Sequence, residues 1–150
     1  MIHETPVTQY MTKNLITFDP DMDIRDAMKI LIKNGISGAP VVNEKYEMVG
    51  ILSERDCIRT VVDGVYNQRP SGTGKVSEYM STAVKSISAD STVMDAAYQF
   101  VHSPYRRFPV IENGKLVGQI SRSDVLRAVE KLKPHINIVP PTWQARQPQP

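Results

Sequence analysis

Hydrophobic positions along this chain form short continuous runs and helical spacings, in the same order twice. In the first half, an apolar run at residues 15–18 precedes a stretch at 21–34 whose apolar residues recur with helical spacing. Gly35 follows as a helix stop. Two more apolar runs, 39–42 and 48–52, flank the polar turn 43–47, and a second helical pattern covers 53–62. The order predicted is therefore β-α-β-β-α.

The second half repeats these elements one by one. A weaker strand pattern at 84–87 precedes a helical pattern that runs from Val93 and stops at Ser103-Pro104. Apolar runs at 108–111 and 116–120 flank residues 112–115, whose Asn-Gly pair is a hairpin signal. A helix is predicted over 121–132.

Polar and special residues recur together with the apolar ones, so the two halves are a tandem duplication. Val7-Thr8-Gln9-Tyr10-Met11-Thr12 returns as Val76-Ser77-Glu78-Tyr79-Met80-Ser81, Pro40-Val41-Val42 as Pro109-Val110-Ile111, and Ser53-x-x-Asp56 as Ser121-x-x-Asp124. We predict an α/β (α+β) fold of two β-α-β-β-α repeats related by a pseudo-twofold axis, because a unit this small buries too little surface alone. The repeats span 7–62 and 76–132, with a polar linker at 63–75 and a Pro-rich tail at 133–150.

Composition and charge narrow the function classes. A net charge of +2, from 18 basic and 16 acidic side chains, gives no support for a nucleic-acid or membrane surface. Cys57, the single cysteine, cannot form an internal disulfide and is predicted to be a buried thiol. No secretory signal pattern or membrane-length apolar run is visible, so we expect a cytoplasmic protein. His3, His102 and His135 lack ligand spacing, and no metal site is predicted.

Each Ser-x-x-Asp motif stands where a strand runs directly into a helix, and it has two interpretations. As a capping box, the Ser and the Asp satisfy free backbone N–H groups of the first helical turn. As a binding corner, the same hydroxyl and carboxylate hold a ribose beside a helix N-terminus that favours anions. The two roles compete, because an Asp turned back to its own helix is not available to a sugar.

The repeated motifs resemble a tandem pair of CBS (cystathionine β-synthase-like) domains, also called a Bateman module. The resemblance covers residues 7–132 and rests on Tyr-Met-Thr/Ser at each head, Asp-Ala in the first helix, Pro-Val before the hairpin and Val-Gly-x-x-Ser-x-x-Asp after it. It implies a standalone, non-catalytic regulatory module that binds AMP, ADP, ATP or an S-adenosylmethionine-like ligand. It also implies a homodimer and an unidentified regulated protein as partner. The alternative is a structural or dimerisation module without a nucleotide.

The resemblance also implies two sites, each built from both repeats. The first would combine Ser53 and Asp56 with Lys85, Tyr105, Arg106, Arg107 and Pro109. The second would combine Ser121 and Asp124 with Thr12, Ile16, Ser37 and Pro40.

Cations distinguish the two predicted sites. The first has Lys85 and two arginines for a phosphate, whereas residues 35–39 offer no cation to the second. We therefore expect the first to prefer a phosphorylated nucleotide, and the second to be weaker, to take a nucleoside-like ligand or to stay empty. The alternatives are that Arg106 and Arg107 are a solvated pair and that Tyr105 only packs.

Overall fold

The computed structural model describes residues 2–68, 70 and 72–132, and within them the two halves repeat one element order. Repeat 1 contains a 3-10 helix at Val7–Gln9, α1 (Ile24–Asn34), β1 (Gly38–Val42), β2 (Met48–Ser53) and α2 (Glu54–Tyr66). Repeat 2 contains α3 (Val76–Tyr79), β3 (Ile87–Ser88), α4 (Val93–Val101), β4 (Arg107–Glu112), β5 (Lys115–Ser121) and α5 (Arg122–Lys131). The predicted mixed fold of two repeats is confirmed. No helix in the described ranges has the length and apolar character that crossing a membrane requires.

Local chemistry explains where the helices begin and end. Asp23 caps α1 by accepting a hydrogen bond from the backbone N–H of Arg25 (2.8 Å), so the helix starts later than the predicted residue 21. Gly35 ends it with φ +60°, a left-handed conformation that glycine adopts without strain. Helix α2 continues to Tyr66, beyond the predicted end at Val62, because no proline interrupts the chain before residue 70.

The strands pair as two hairpins with matching registers. In the first, Pro40 lies opposite Ile51, and in the second, Pro109 lies opposite Gln119. The predicted first strands are shorter than expected: repeat 1 shows a single parallel bridge from Phe18 to Val41, and repeat 2 shows Ile87–Ser88 parallel to β4. The tail predicted for 133–150 lies outside the described residues.

The head segment of each repeat packs into the core of the other repeat. Val7, fully buried, belongs to the cluster built from β3, α4, β4, β5 and α5, and its N–H donates to the carbonyl of Ser91 (2.9 Å). Val76 and Tyr79 belong in turn to the repeat 1 cluster, and the N–H of Val76 donates to the carbonyl of Met22 (2.9 Å). The two heads are therefore exchanged between the repeats.

The glycine of each Val-Gly motif makes room for the exchanged head. A Cβ on Gly118 would lie 2.9 Å from the carbonyl oxygen of Thr12, and one on Gly50 would lie 2.9 Å from that of Ser81. At these points Thr12 exchanges two backbone hydrogen bonds of 2.9 Å with Gln119, next to the end of β5. The motif thus holds the head of one repeat against the last strand of the other.

Candidate functional site

A cavity of about 410 Å³ lies between the head and β1 of repeat 1 and the end of β5 in repeat 2. Its size falls within the usual range for small-molecule sites. Its walls are formed by Thr12, Asn14, Leu15, Ile16, Ile36, Gly38, Pro40, Arg107, Gln119, Ser121 and Ser123. Four of the six residues predicted for the second site meet here, namely Thr12, Ile16, Pro40 and Ser121. We call this cavity cleft 2, and the equivalent corner around Ser53 cleft 1.

Ser37, the fifth predicted residue of cleft 2, is not in its wall. Ile36, Gly38 and Pro40 line the cleft, as the two-residue period of an extended chain requires. Ser37 lies between them, and its carbonyl accepts a hydrogen bond from the backbone N–H of Glu54 (2.9 Å). The backbone of Ser37 therefore holds its own repeat together.

Asp124, the sixth predicted residue, is turned back to the start of α5. Its residue exposure is 2%, its Oδ2 accepts from the backbone N–H of Ser121 (2.8 Å), and its Oδ1 is bonded to Nη2 of Arg127. The hydroxyl of Ser121 accepts in return from the backbone N–H of Asp124 (3.2 Å). The capping-box interpretation is confirmed here, and ribose binding by Asp124 stays a prediction.

Asp56 forms the same capping box at the start of α2. Its Oδ2 accepts from the backbone N–H of Ser53 (2.8 Å) and from the Ser53 hydroxyl (2.9 Å). Its Oδ1 lies 3.8 Å from Nη2 of Arg59, whose other bond reaches the carbonyl of Tyr79 (2.8 Å) in the exchanged head. Both motif carboxylates are thus engaged by their own helices, although Asp56 remains less enclosed than Asp124.

Arg107 lines cleft 2, so the expectation of a cleft without a cation is wrong. The register of the second hairpin places Arg107 opposite Ser121, and both residues line this wall. Gly38 lines the same wall without a side chain, and a Cβ there would lie 2.9 Å from the carbonyl oxygen of Leu52. Within the described residues, no hydrogen bond or ion pair engages the side chain of Arg107, which remains available to an anion.

At the first predicted site, the backbone framework is present, but among the described residues the predicted side chains form no hydrogen bond or ion pair across the repeats. The backbone of Ser81, in the head of repeat 2, is bonded to Ile51 in β2 (2.9 Å), the equivalent of the bonds between Thr12 and Gln119. Pro109 is buried within β4, whereas Lys85 and Arg106 are exposed. In the described part of the chain, no hydrogen bond or ion pair joins Ser53 or Asp56 to Lys85, Tyr105, Arg106 or Arg107.

Tyr105 has the packing contact that the alternative interpretation expected. Its ring centroid lies 5.7 Å from that of Phe108, and 45% of the residue is exposed. Its carbonyl accepts a hydrogen bond from Nε of Arg122 (3.0 Å). The residue thus braces the loop before β4, and a role in binding stays a prediction.

Comparison with known proteins identifies the family that this arrangement belongs to. The family model described as "CBS domain" matches residues 7–63 and again 76–131, the two repeats seen in the structure. The chain belongs to the CBS domain family. CBS-pair proteins are regulatory and generally non-catalytic.

Similar proteins include both short and longer chains. The CBS domain-containing protein YhcV of Bacillus subtilis is 30% identical over 120 residues, which cover 79% of this chain and 81% of that protein. The uncharacterized protein MJ1225 of Methanocaldococcus jannaschii is 29% identical over 122 residues, which cover 81% of this chain. The match spans 42% of the length of MJ1225, so the CBS pair is one part of a longer chain there.

A solved CBS-pair structure shares the fold closely. The crystal structure of CBSX2, a protein of Arabidopsis thaliana, in complex with AMP has a TM-score of 0.72 and 25% identity. The similarity covers 86% of this chain and 98% of that one. The fold of this chain therefore also occurs in a protein whose crystal structure holds AMP.

Several residues in the wall of cleft 2 were not predicted from the sequence. They are Asn14, Leu15, Ile36, Gly38, Gln119 and Ser123. The period-two alternation around Pro40 indicates Ile36 and Gly38, and the alternation that ends at Ser121 indicates Gln119. Ser123 lies in the first turn of α5, where the alternation of a strand does not apply. Asn14 and Leu15 belong to the irregular segment after the head, for which the sequence has no periodic signal.

Cys57 lies outside the cleft and is not activated. Burial raises the pKa of its thiol, and the negative charges of Asp56 and Glu54 raise it further. The thiol is therefore protonated at neutral pH, and the prediction of a buried cysteine is confirmed. The described residues also contain no group of three or more His, Cys, Asp or Glu side chains placed to hold a metal ion.

Proposed function

We propose that this chain senses an adenine nucleotide or a related adenosyl ligand in the clefts between its CBS repeats and acts as a non-catalytic regulatory module in the cytoplasm. The observation that carries the proposal is cleft 2, where an arginine without a partner among the described residues, Ser and Thr residues and an apolar wall converge from both repeats. The AMP complex of CBSX2 supports the ligand class, since that protein has the same fold.

The wall of cleft 2 suits the three parts of a nucleotide. Ile16, Ile36 and Pro40 offer apolar surface to a purine ring. The hydroxyls of Thr12 and Ser123 offer hydrogen bonds to a ribose. Arg107 and the N-terminus of α5 offer positive charge to a phosphate.

Regulation follows from the shared construction of the cleft. A ligand that contacts Pro40 in one repeat and Ser121 in the other binds best to one relative placement of the two. The difference in affinity between placements is the free energy available to a regulated partner.

The first test is a thermal shift with AMP. At 100 times its dissociation constant, AMP should add about 2.7 kcal/mol to the free energy of unfolding. For a chain of this size that corresponds to a rise in Tm of roughly 5–10 °C. Adenosine and inorganic phosphate, measured separately, serve as controls, because each should bind through only part of the cleft and give a smaller shift.

A structural module without a nucleotide is the second candidate, and one observation favours it. The carboxylates of Asp56 and Asp124, predicted to hold ribose, are both bonded within their own helix starts. If AMP, ADP, ATP and S-adenosylmethionine all leave Tm unchanged, the sensor proposal is wrong and this candidate replaces it.

A homodimer is the second part of the proposal, and exposed apolar side chains on the helices support it. Ile32 on α1 and Ile58 and Val61 on α2 are exposed around a groove of about 240 Å³, and Val65 on α2 is exposed as well. Leu126 on α5 is an exposed apolar residue in repeat 2. Apolar surface of this kind is typical of protein interfaces.

Sedimentation velocity measures the predicted dimer directly. The intact chain should sediment as a dimer, and Ile58→Lys should shift it towards monomer because it places a charge in the apolar surface. Tyr46→Lys changes another exposed residue, in the turn between β1 and β2; it is the control and should leave the dimer intact. A monomeric parent chain at micromolar concentration would contradict the dimer.

A further inference from the structure

Gly38 and Arg107 occupy equivalent positions in the two repeats. Gly38 is the first residue of β1 and lies opposite Ser53, while Arg107 is the first residue of β4 and lies opposite Ser121. Each strand thus begins opposite the Ser of its own Ser-x-x-Asp motif. The duplication therefore relates residue 38 to residue 107.

Both members of this pair line cleft 2. The pseudo-twofold operation that exchanges the repeats turns cleft 2 into cleft 1, and it also exchanges residue 38 with residue 107. The wall of cleft 1 must therefore contain the same two positions. The backbone pairing supports the operation, since the Thr12–Gln119 bridge at cleft 2 has its equivalent in the Ser81–Ile51 bridge at cleft 1. The structure shows residues 38 and 107 at cleft 2, and the symmetry of the repeats assigns the same two residues to cleft 1.

Only one of these two positions carries a charge. Gly38 contributes no side chain, and among the described residues that line cleft 2 Arg107 is the one cation. Its guanidinium group ends a long side chain and has no partner within the described residues. A flexible cation placed between two clefts can turn to either of them.

We propose that Arg107 is a cation shared by the two clefts, so that a phosphate bound in one cleft weakens phosphate binding in the other. This inference rests on the proposed nucleotide site. A phosphate monoester carries a charge of about −1.5 to −2 at neutral pH, which more than neutralises one guanidinium. A second phosphate then finds the fork of donors already engaged and meets the negative charge of the first phosphate.

Two blocked proteins isolate the clefts for the test. Ser123 is exposed in the first turn of α5 and lines cleft 2, and Arg55 holds the equivalent exposed position in α2. Ser123→Trp fills cleft 2, and Arg55→Trp fills cleft 1. Each blocked protein is titrated with AMP and with adenosine by calorimetry, with and without Arg107→Ala.

In both blocked proteins, Arg107→Ala should weaken AMP by at least about tenfold, the loss expected for a hydrogen bond to a charged group. Adenosine, which lacks the phosphate, should change by less than about twofold in both backgrounds, well below the tenfold that 1.4 kcal/mol represents. The matched control is Arg25→Ala, the same change at an exposed arginine of α1. Arg25 is not in the wall of cleft 2 and belongs to neither predicted site, so this variant should leave AMP affinity unchanged.

The intact chain, which retains both clefts, is used to measure the coupling between AMP binding in one cleft and in the other. Its second AMP should bind several-fold more weakly than AMP binds to the blocked protein that retains the same cleft, and adenosine should show no such difference. If Arg107→Ala weakens AMP in one blocked protein alone, Arg107 serves that cleft only, and the inference is wrong while the nucleotide proposal stands. If AMP binds to none of these proteins or to the parent chain, the proposed function itself fails.

Discussion

Val7→Asp is expected to destabilise repeat 2 more than repeat 1, although the substitution lies in the head of repeat 1. Val7 is fully buried in the core formed by β3, α4, β4, β5 and α5. An aspartate there would bury a carboxylate among apolar side chains, which costs on the order of 3–5 kcal/mol when no partner compensates the charge. Since small domains are stable by only about 5–15 kcal/mol, this loss is a large part of the total.

Urea denaturation measures the loss, and hydrogen exchange locates it. Amides of β4 and β5, including that of Val110, should lose protection before those of β1. The matched control is Gln9→Asp, which introduces the same charge at an exposed position of the same 3-10 helix. Val76→Asp is the mirror experiment, because Val76 is fully buried in the repeat 1 core. Protection lost first in repeat 1 of the Val7→Asp protein would contradict the exchanged heads.

Phe108→Ala should destabilise the protein by about 3–5 kcal/mol, the cost of removing a buried phenylalanine and leaving a cavity. The residue is 1% exposed, and its ring stacks on Phe100 with centroids 4.7 Å apart. Chemical denaturation gives the change in the free energy of unfolding. Phe108→Leu keeps most of the volume and should cost less than about 1.5 kcal/mol.

Tyr98→Ala is the control for Phe108→Ala, because Tyr98 is 63% exposed on α4 and contacts His102 at the surface. It should change stability by less than about 0.5 kcal/mol. Phe108 stands between Arg107 and Pro109 on β4, so its loss should also loosen the strand that presents them. A small effect of Phe108→Ala, equal to that of Tyr98→Ala, would contradict the packing described for this core.

Local signals allowed most helices and hairpins to be predicted from the sequence. Helix α1 follows from its apolar spacing and from Gly35, whose left-handed conformation few other residues accept. The hairpins follow from apolar runs on either side of short polar turns. Because the sequence is duplicated, the pattern of each hairpin supports the prediction of the other. The end of α2 at Tyr66 was missed because residues 63–66 carry no apolar period and only the absence of a breaker lets the helix continue.

Long-range arrangement was harder to predict. Nothing near Val7 in the sequence indicates that its partners lie in repeat 2, since core membership depends on how the two halves fold together. Arg107 was assigned to the first site alone because the sequence does not indicate that the start of β4 also reaches the wall of cleft 2. Ser37 was included although strand alternation excludes it from the wall of cleft 2.

The exchanged heads also determine when each core can be completed while the chain is synthesised on the ribosome. The core of repeat 1 lacks two of its members until Val76 and Tyr79 have been synthesised. Val7 is synthesised before β4 and β5, the strands of the core into which it packs. Before the second head has been synthesised, neither core contains all of its apolar side chains. A nascent chain that stops before this point therefore exposes apolar surface of the kind that chaperones recognise.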